Sequence, residues 1–204
     1  MTSPSKKPRS TFPGIVLHLP RWVTEFLGRC GADYPAVSDR MRLVIELSRL
    51  NVENGTGGPF AAAVFDRRTH VLLAPGINMV TSAGFSVAHA EVMAILIEQK
   101  LLGTHDLGWK DTQGYEIVSS TEPCAMCQGA IVWSGLRSLV CGATGGDACR
   151  IGFDEGPKPR NWVKQFRSRG ISVTRNVCRE EAVAVLQAYK RQGGPVYNGR
   201  RPVE

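Results

Sequence analysis

The spacing of one histidine and two cysteines constrains the fold of this chain more than any other feature of its sequence. The triplet His89-Ala90-Glu91 precedes the run Pro123-Cys124-Ala125-Met126-Cys127 by more than thirty residues. One imidazole and two thiolates make a three-ligand zinc site, whose open fourth position is typical of catalytic zinc. The chain must therefore fold so that His89, Cys124 and Cys127 meet, with one Zn²⁺ expected per subunit.

Glu91 lies two residues after the histidine and is interpreted as the carboxylate that moves protons, not as a fourth ligand. A structural zinc site does not require an unligated carboxylate beside the metal, so the presence of Glu91 disfavours a non-catalytic zinc scaffold. The plainest alternative is a surface His-x-Glu and two buried thiols. The order and separation of the two motifs favour the zinc site.

Both metal motifs are predicted to open helices. Cys124 follows Pro123, which suits a helix start, and we expect His89 and Cys124 in the first turns of their helices. The partial positive charge at a helix N-terminus favours the thiolate form that a metal needs. Two neighbouring helix starts at the ends of strands would form the zinc pocket.

Apolar periodicity and turn residues predict alternating strands and helices. Ser38 is expected to cap a helix that ends at Asn54-Gly55, and Val92, Ile95, Leu96 and Gln99 are expected on the inner side of a later helix. The other predicted helices span 21–28, 88–102, 124–135 and 179–192, and the predicted strands span 59–66, 70–74, 115–120, 138–142 and 170–174. Residues 78–86 and the glycines near 145–147 are predicted as loops. This order indicates a three-layer α/β/α sandwich with a mixed sheet of about five strands.

The composition indicates one principal domain that is flanked by an N-terminal extension and by a tail at each end of the chain. Residues 1–10 are polar and proline-rich and are predicted to be a disordered basic tail. Residues 11–35 form an N-terminal extension, residues 36–192 the principal domain, and residues 193–204 a C-terminal tail. Six of the seven net positive charges lie in residues 1–9 and 190–204, which argues against a nucleic-acid partner for the body.

The cysteines favour a reducing compartment. Two of the six have metal-ligand spacing, and the rest are interpreted as small buried hydrophobic residues: Cys30, Cys141, Cys149 and Cys178. Residues 11–27 are moderately apolar but are interrupted by prolines and charges, so we expect neither a signal peptide nor a membrane span. A cytoplasmic location is predicted.

The sequence resembles the cytidine deaminase-like superfamily over about residues 38–192. A His-x-Glu followed by Pro-Cys-x-x-Cys is the signature of zinc-dependent nucleobase deaminases. Within that superfamily the chain is most similar to the bacterial zinc-dependent guanine deaminases. Four elements carry the narrower resemblance: Gly57-Gly58-Pro59-Phe60, Gly76-Ile77-Asn78, the interval from Cys127 to Trp133, and Gly152-Phe153-Asp154-Glu155.

The resemblance implies a role for each of these elements. Phe60 would line the base pocket, Asn78 would hydrogen-bond the purine from a loop, and Trp133 would pack near the base. Glu155 would contact guanine and assist proton transfer as a second catalytic residue. The remaining substrate-binding residues that the resemblance implies are Ala90, Asp154 and Tyr197. Family members close the site with a tail exchanged between the subunits of a dimer, which makes residues 193–204 a candidate for exchange and implies a homodimer.

Each base-contacting residue also has an ordinary structural interpretation that the sequence leaves open. Phe60, in an apolar strand, would by default belong to the core, and Asn78 would cap its loop. A carboxylate such as Glu155 in a glycine-rich loop is usually solvated. Trp133, at helical spacing from Cys127, suits the core and the pocket wall equally.

The predicted reaction is hydrolytic deamination, in which hydroxide attacks an amidine-type ring carbon and ammonia leaves. The resemblance implies guanine as substrate and xanthine as product. Another aminopurine, a nucleoside, the s-triazine ammeline and a tRNA adenosine stay open as alternatives. The near-neutral body, Phe60 and the Gly-Phe-Asp-Glu element argue against the tRNA substrate, although a tRNA adenosine deaminase shares both metal motifs.

Overall fold

The computed structural model describes residues 12–108 and 114–199. The tail predicted at residues 1–10, and the end of the C-terminal tail, lie outside the described residues. The strands are β1 Ala61–Asp66, β2 Leu72–Ile77, β3 Tyr115–Thr121, β4 Ser138–Ala143 and β5 Ser172–Thr174. They form one sheet with the order β2-β1-β3-β4-β5, in which β1 is antiparallel to both of its neighbours and β3, β4 and β5 are parallel. The predicted mixed five-stranded sheet is confirmed.

Helices cover both faces of the sheet and complete the three layers. The first layer contains α1 Arg21–Leu27, α2 Val37–Glu53 and α8 Arg179–Arg191; the second contains α4 Ala90–Leu102, α5 Ala125–Trp133 and α7 Trp162–Ser168. Successive residues of β1 alternate between the two cores: Ala63 and Phe65 pack toward α2, and Ala62 and Val64 pack toward α4. Burial of β1 on both faces explains why its sequence is almost wholly apolar.

Gly76 on β2 allows the start of α4 to lie unusually close to the sheet. A Cβ atom at Gly76 would lie 2.1 Å from the carbonyl oxygen of Ala90 and 2.9 Å from the Cβ of Ala94. Such distances leave no room for a side chain, so glycine is required for this packing. The contact sets both the position of α4 and the side of the helix that faces the sheet.

The N-terminal extension packs on the same core as the principal domain. Val23 of α1 is buried, and the Trp22 indole nitrogen donates a hydrogen bond of 3.2 Å to the Thr56 hydroxyl. Asp33 forms an isolated antiparallel bridge with Val71 at the start of β2. Residues 12–35 are thus integrated into the first helical layer.

None of the helices in the described residues combines the length and apolar character needed to cross a membrane.

Two predictions about helix faces and caps are wrong. Ser38 was predicted to cap α2, but the helix begins at Val37 and its N-cap residue is Ala36. The Ala36 carbonyl accepts the first backbone hydrogen bonds of the helix, from Asp39 and Arg40. The buried face of α4 lies one residue away from the predicted stripe, and Leu96 is 46% exposed. The residues of α4 that are buried are Ala90, Glu91, Met93, Ala94, Ile95 and Glu98.

Several predicted loops contain short regular elements. The β2 strand continues to Ile77, so Gly76 and Ile77 lie in a strand and not in a loop, and a short helix α3 follows at Val80–Ala83. Helix α6, Gly145–Arg150, replaces the predicted glycine loop because Thr144 and Asp147 form a capping box at its start. Helix α7 was missed, and Cys149 is exposed, contrary to its interpretation as a buried residue.

Candidate active site

The metal motifs meet at one edge of the sheet, where β3 and β4 end and two helices begin. His89 directly precedes α4, and Cys124 directly precedes α5, so both are N-cap residues and do not lie in the first helical turn as predicted. Cys127 lies in the first turn of α5 and is fully buried. The ends of parallel strands leave a crevice for ligands, and the site occupies that position.

The three side chains have a separation suited to zinc. The Nδ1 atom of His89 lies 3.5 Å from the sulfur of Cys124 and 3.6 Å from that of Cys127. All three donor atoms lie within 4.8 Å of one another. Tetrahedral zinc with Zn–N of about 2.05 Å and Zn–S of about 2.3 Å requires an N···S separation of about 3.6 Å. The donor set and its geometry therefore fit a Zn²⁺ ion with an open fourth position.

The two cysteines differ in their ionisation. Hydrogen bonding from Cys127, opposed by burial and supported by His89, lowers the pKa of the Cys124 thiol to about 4. The hydrogen bond to Cys124, together with burial, raises the pKa of Cys127. Burial lowers the pKa of His89, but the hydrogen bond and the charge of Cys124 outweigh this effect and leave it raised. Both thiols must be deprotonated to bind zinc, and the surroundings favour the thiolate at Cys124 more than at Cys127.

Glu91 lies beside the metal ligands in a dry environment. Its side chain is 7% exposed, and the hydroxyl of Ser119 on β3 donates a hydrogen bond of 3.3 Å to its Oε1 atom. Burial, with the nearby Cys124 thiolate as the next cause, raises the pKa of Glu91. A raised pKa makes the protonated carboxyl group easier to form, which suits a group that takes up a proton and passes it on.

A cavity next to the metal ligands has an aromatic wall. Phe60, directly before β1, contacts Phe153 edge to face with ring centroids 4.8 Å apart. Phe153 in turn stacks on Tyr189 of α8, with centroids 6.1 Å apart. All three residues line the cavity, together with Glu91. A planar heterocycle is bound favourably beside such rings.

Asn78 lies directly after β2 and lines the same cavity. Its Oδ1 atom accepts hydrogen bonds from the backbone N–H groups of Val80 at 3.3 Å and Gly58 at 3.4 Å. These bonds orient the amide and leave its Nδ2 group to donate to a bound molecule. The loop-capping role of Asn78 and the role of a base-binding donor are therefore compatible.

Glu155 brings a second carboxyl group to the cavity, with a side chain that is 13% exposed. Burial raises its pKa to about 7, although the Lys158 ammonium group opposes this shift by donating a hydrogen bond of 3.0 Å to Oε2. The adjacent Asp154 is exposed, and its Oδ1 atom accepts from the Gly156 N–H at 2.8 Å. Asp154 thus shapes the turn and also lines the cavity.

The described part of the C-terminal tail folds back over the cavity of its own chain. The Tyr189 hydroxyl donates a hydrogen bond of 2.6 Å to the Pro195 carbonyl. The Asn198 side chain accepts from the Asp154 N–H at 2.8 Å and donates to the Gly152 carbonyl at 2.9 Å. Tyr197, 48% exposed, is thereby placed at the cavity mouth.

The sequence profile described as the cytidine and deoxycytidylate deaminase zinc-binding region matches residues 36–143. This match covers more than half of the chain and includes the zinc-ligand set and Glu91. The chain belongs to this family of zinc-dependent deaminases. It is accordingly a zinc-dependent hydrolytic enzyme of the aminohydrolase class.

Known proteins similar to this deaminase include guanine deaminases. The solved guanine deaminase from Nitrosomonas europaea is 43% identical, with a TM-score of 0.83, over 87% of this chain and 97% of its own. A structure of a mutant of the protein NE0047 in complex with 8-azaguanine is also 43% identical, with a TM-score of 0.82, over 87% and 98% of the two chains. The guanine deaminase of Bacillus subtilis (strain 168) is 35% identical over 56% of this chain and 69% of its own.

Trp133 does not line the cavity of the deaminase, contrary to the sequence prediction. Its side chain is 86% exposed at the end of α5. Six residues at about 100° per residue place Trp133 about 240° around the helix from Cys127, so the two side chains leave the helix in different directions. Within a single chain, Trp133 is neither core nor pocket wall.

The structure also brings to the cavity residues for which the sequence predicted no contact with the substrate. These cavity-lining residues are Gly58, Val80, Thr81, Thr121, Glu122, Phe153, Tyr189 and Pro195. Phe153 belongs to the Gly-Phe-Asp-Glu element, and its aromatic character was the available signal. Tyr189 lies on an amphipathic helix whose pattern indicates only core. Thr121 is buried, and its hydroxyl lacks a hydrogen-bond partner among the described residues.

Proposed function

We propose that this deaminase hydrolyses guanine to xanthine and ammonia. The observation that carries the proposal is a cavity that joins two of the zinc ligands, His89 and Cys124, and Glu91 to the predicted base-binding residues Phe60, Asn78 and Glu155. The similarity to a guanine deaminase over nearly the whole of that protein supports the choice of base. Guanine and water supply the atoms of both products, so the reaction needs no other reactant.

The metal side of the cavity activates water. His89, Cys124 and Cys127 would hold Zn²⁺, which when bound lowers the pKa of water toward neutrality. Glu91 accepts a proton from the attacking water and delivers a proton to the departing amino nitrogen, so that ammonia leaves. Burial of Glu91 strengthens its interactions with both groups, because little solvent screens them.

The other side of the cavity selects and orients the base. Phe60 packs against the ring of the heterocycle, and the Asn78 Nδ2 group donates to an acceptor on the purine edge. Glu155, as a carboxylate, accepts from the guanine N1–H group and exchanges a proton with the reacting edge. The further proposed contacts are Ala90, Asp154 and Tyr197.

Ammonia release measured with a panel of substrates tests the proposal. The panel contains guanine, guanosine, adenine, cytosine, cytidine, ammeline and a tRNA anticodon stem, each assayed with the zinc-loaded enzyme. We expect the highest kcat/KM with guanine, because Phe60, Asn78 and Glu155 together match a purine with a donor at N1. Turnover confined to ammeline, to a nucleoside or to a tRNA anticodon stem would contradict the proposal and support the corresponding alternative.

We also propose that the deaminase forms a homodimer through α5. Trp133 is 86% exposed and Met126 is 37% exposed on this helix, and both would lose solvent contact in an interface. Sedimentation of Trp133→Asp against an exposed control, Leu101→Asp, tests this: the first is expected to shift the enzyme toward monomer and the second is not. Exchange of the tail between the subunits stays a prediction.

We propose a cytoplasmic location because the cysteines are present as free thiols. All six cysteines are free, and two of them belong to the zinc site, which suits a reducing compartment. The principal domain at residues 36–192 remains a prediction that limited proteolysis of the zinc-loaded enzyme would test.

A further inference from the structure

Lys158 follows Glu155 in a turn that brings their side chains together. Gly156 adopts a positive φ of +69°, and the Lys158 N–H donates a hydrogen bond of 2.7 Å to the Gly156 carbonyl. The Asp154 carboxylate accepts from the Gly156 N–H at 2.8 Å and holds the first half of the turn. The chain therefore reverses directly after Glu155, and the lysine side chain returns toward the cavity.

The Lys158 ammonium group lies between two acidic residues of the active-site region. Its Nζ atom is 3.0 Å from Oε2 of Glu155 and 3.9 Å from Oε2 of Glu122. The side chains of Lys158 and Glu155 are each 13% exposed, and that of Glu122 is 6% exposed. Surface ion pairs contribute little to stability, but removal of one partner from a buried pair leaves an uncompensated charge.

The neighbouring backbone is shaped to accept this lysine. A Cβ atom on Gly145 would lie 2.7 Å from the Lys158 Nζ atom and 3.2 Å from the Glu155 Oε2 atom. The space that a side chain would fill at Gly145 is occupied by the ion pair. The Gly145 N–H also donates a hydrogen bond of 3.0 Å to Glu122, whose other oxygen accepts from Arg175.

We propose that Lys158 is a positioning residue that holds the Glu155 carboxylate in place against the bound base. The inference rests on the proposed guanine deaminase activity and on the proposed contact of Glu155 with guanine. The lysine is tied on its other side to Glu122, which lies two residues before the metal ligand Cys124. Lys158 thus links the base-binding turn to the segment that opens the zinc-binding helix.

Loss of the lysine is expected to release Glu155 without removing the metal. Lys158→Met keeps the length of the side chain but removes its charge and hydrogen-bond donors. Because partners that orient an active-site group typically contribute 10- to 100-fold to activity, we expect kcat/KM for guanine to fall by about that factor. Lys158→Arg restores a charged donor and is expected to recover most of the loss. Lys164→Met, an exposed lysine on α7, is the matched control and is expected to match the wild type.

A double-mutant cycle with Glu155→Ala provides the decisive measurement. If Lys158 acts through Glu155, adding Lys158→Met to Glu155→Ala changes kcat/KM by no more than about 2-fold, whereas independent effects would multiply. Zinc content, measured for every variant, is expected to remain that of the wild type.

Multiplicative losses, or loss of zinc in Lys158→Met, would overturn the inference and assign the lysine to the structure of the metal segment. A failure of Lys158→Arg to recover activity would also count against a role of its charge. These results are distinct from a failure of the proposed function, in which the wild-type enzyme itself would release no ammonia from guanine.

Discussion

The two halves of the active site are built from different kinds of structure. The metal half consists of side chains at the starts of two helices that pack on the sheet, where Cys127 is fully buried and Glu91 is 7% exposed. The base half consists of loops, the turn at Glu155 and the tail, where Tyr197 is 48% exposed. The residues proposed for the chemistry thus lie in the core, and those proposed for base recognition lie in segments that can vary without disturbing it.

The two carboxyl groups to which we assign proposed catalytic roles differ in the same way. Burial raises the pKa of both Glu91 and Glu155. Glu91 receives a neutral hydrogen bond from Ser119 on a central strand, whereas Glu155 receives a charged one from Lys158 in its own turn. The first group is suited to carry protons beside the metal, and the second is held where it can contact the base.

Loss of a metal ligand is the largest expected effect, because it removes the whole metal half. Cys127→Ala leaves two protein ligands, so we expect loss of bound zinc and of ammonia release from every substrate. Metal content by atomic absorption and ammonia release measure both outcomes. Cys178→Ala, a cysteine outside the site, is the control and is expected to keep zinc and activity. Full activity of a zinc-free Cys127→Ala enzyme would contradict the assignment of the reaction chemistry to the metal half.

Glu91→Gln is expected to have the next largest effect, and it separates metal binding from proton transfer. The substitution is nearly isosteric, so the fold and the zinc should be retained, while ammonia release falls by about 10²- to 10⁴-fold for all substrates. Glu98→Gln is the matched control, since Glu98 is buried on the same helix. Retained turnover in Glu91→Gln would reject the acid–base role.

Glu155→Gln probes the base half through its pH dependence. The pKa of Glu155 is raised to about 7, so its carboxylate form is lost as the pH falls below 7. If guanine binding needs the carboxylate, kcat/KM for the wild type falls with decreasing pH below about 7, and the variant loses this ionisation along with about 10-fold or more of its activity. An unchanged pH profile in the variant would assign the ionisation to another group.

Asn198→Ala is expected to have the smallest effect and tests closure of the base half by the tail. It removes two solvent-exposed hydrogen bonds to the Gly152–Asp154 segment, each contributing about 0.5 kcal/mol, so KM for guanine should rise by about 5-fold with zinc unchanged. Arg191→Ala, just before the tail, serves as the control. A fall in kcat with no change in KM would indicate that the tail affects a step after binding.

Much of the fold and the metal half could be predicted from the sequence. Zinc ligands are rare residue types at a narrow spacing, and strands such as β1 have continuous apolar sequences because both faces are buried. Helix faces were harder to predict. The α4 stripe was misplaced by one residue because Gly76, distant in sequence, determines which side of the helix meets the sheet.

The sequence by itself determined the zinc ligands and the three-layer fold and singled out Glu91 as the residue proposed to carry protons, since the ligand motifs use rare residue types and the fold follows from regular apolar periodicity. Only the tertiary structure excluded Trp133 from the cavity and added Phe153, Tyr189 and Lys158 to the region around Glu155. The physical reason is that tertiary packing sets the orientation of each helix and loop, and this orientation decides which way a side chain points. The metal motifs of this deaminase lie at the starts of two helices, whereas the rest of the cavity is assembled from residues beside β1 and β2, a turn, α8 and the tail.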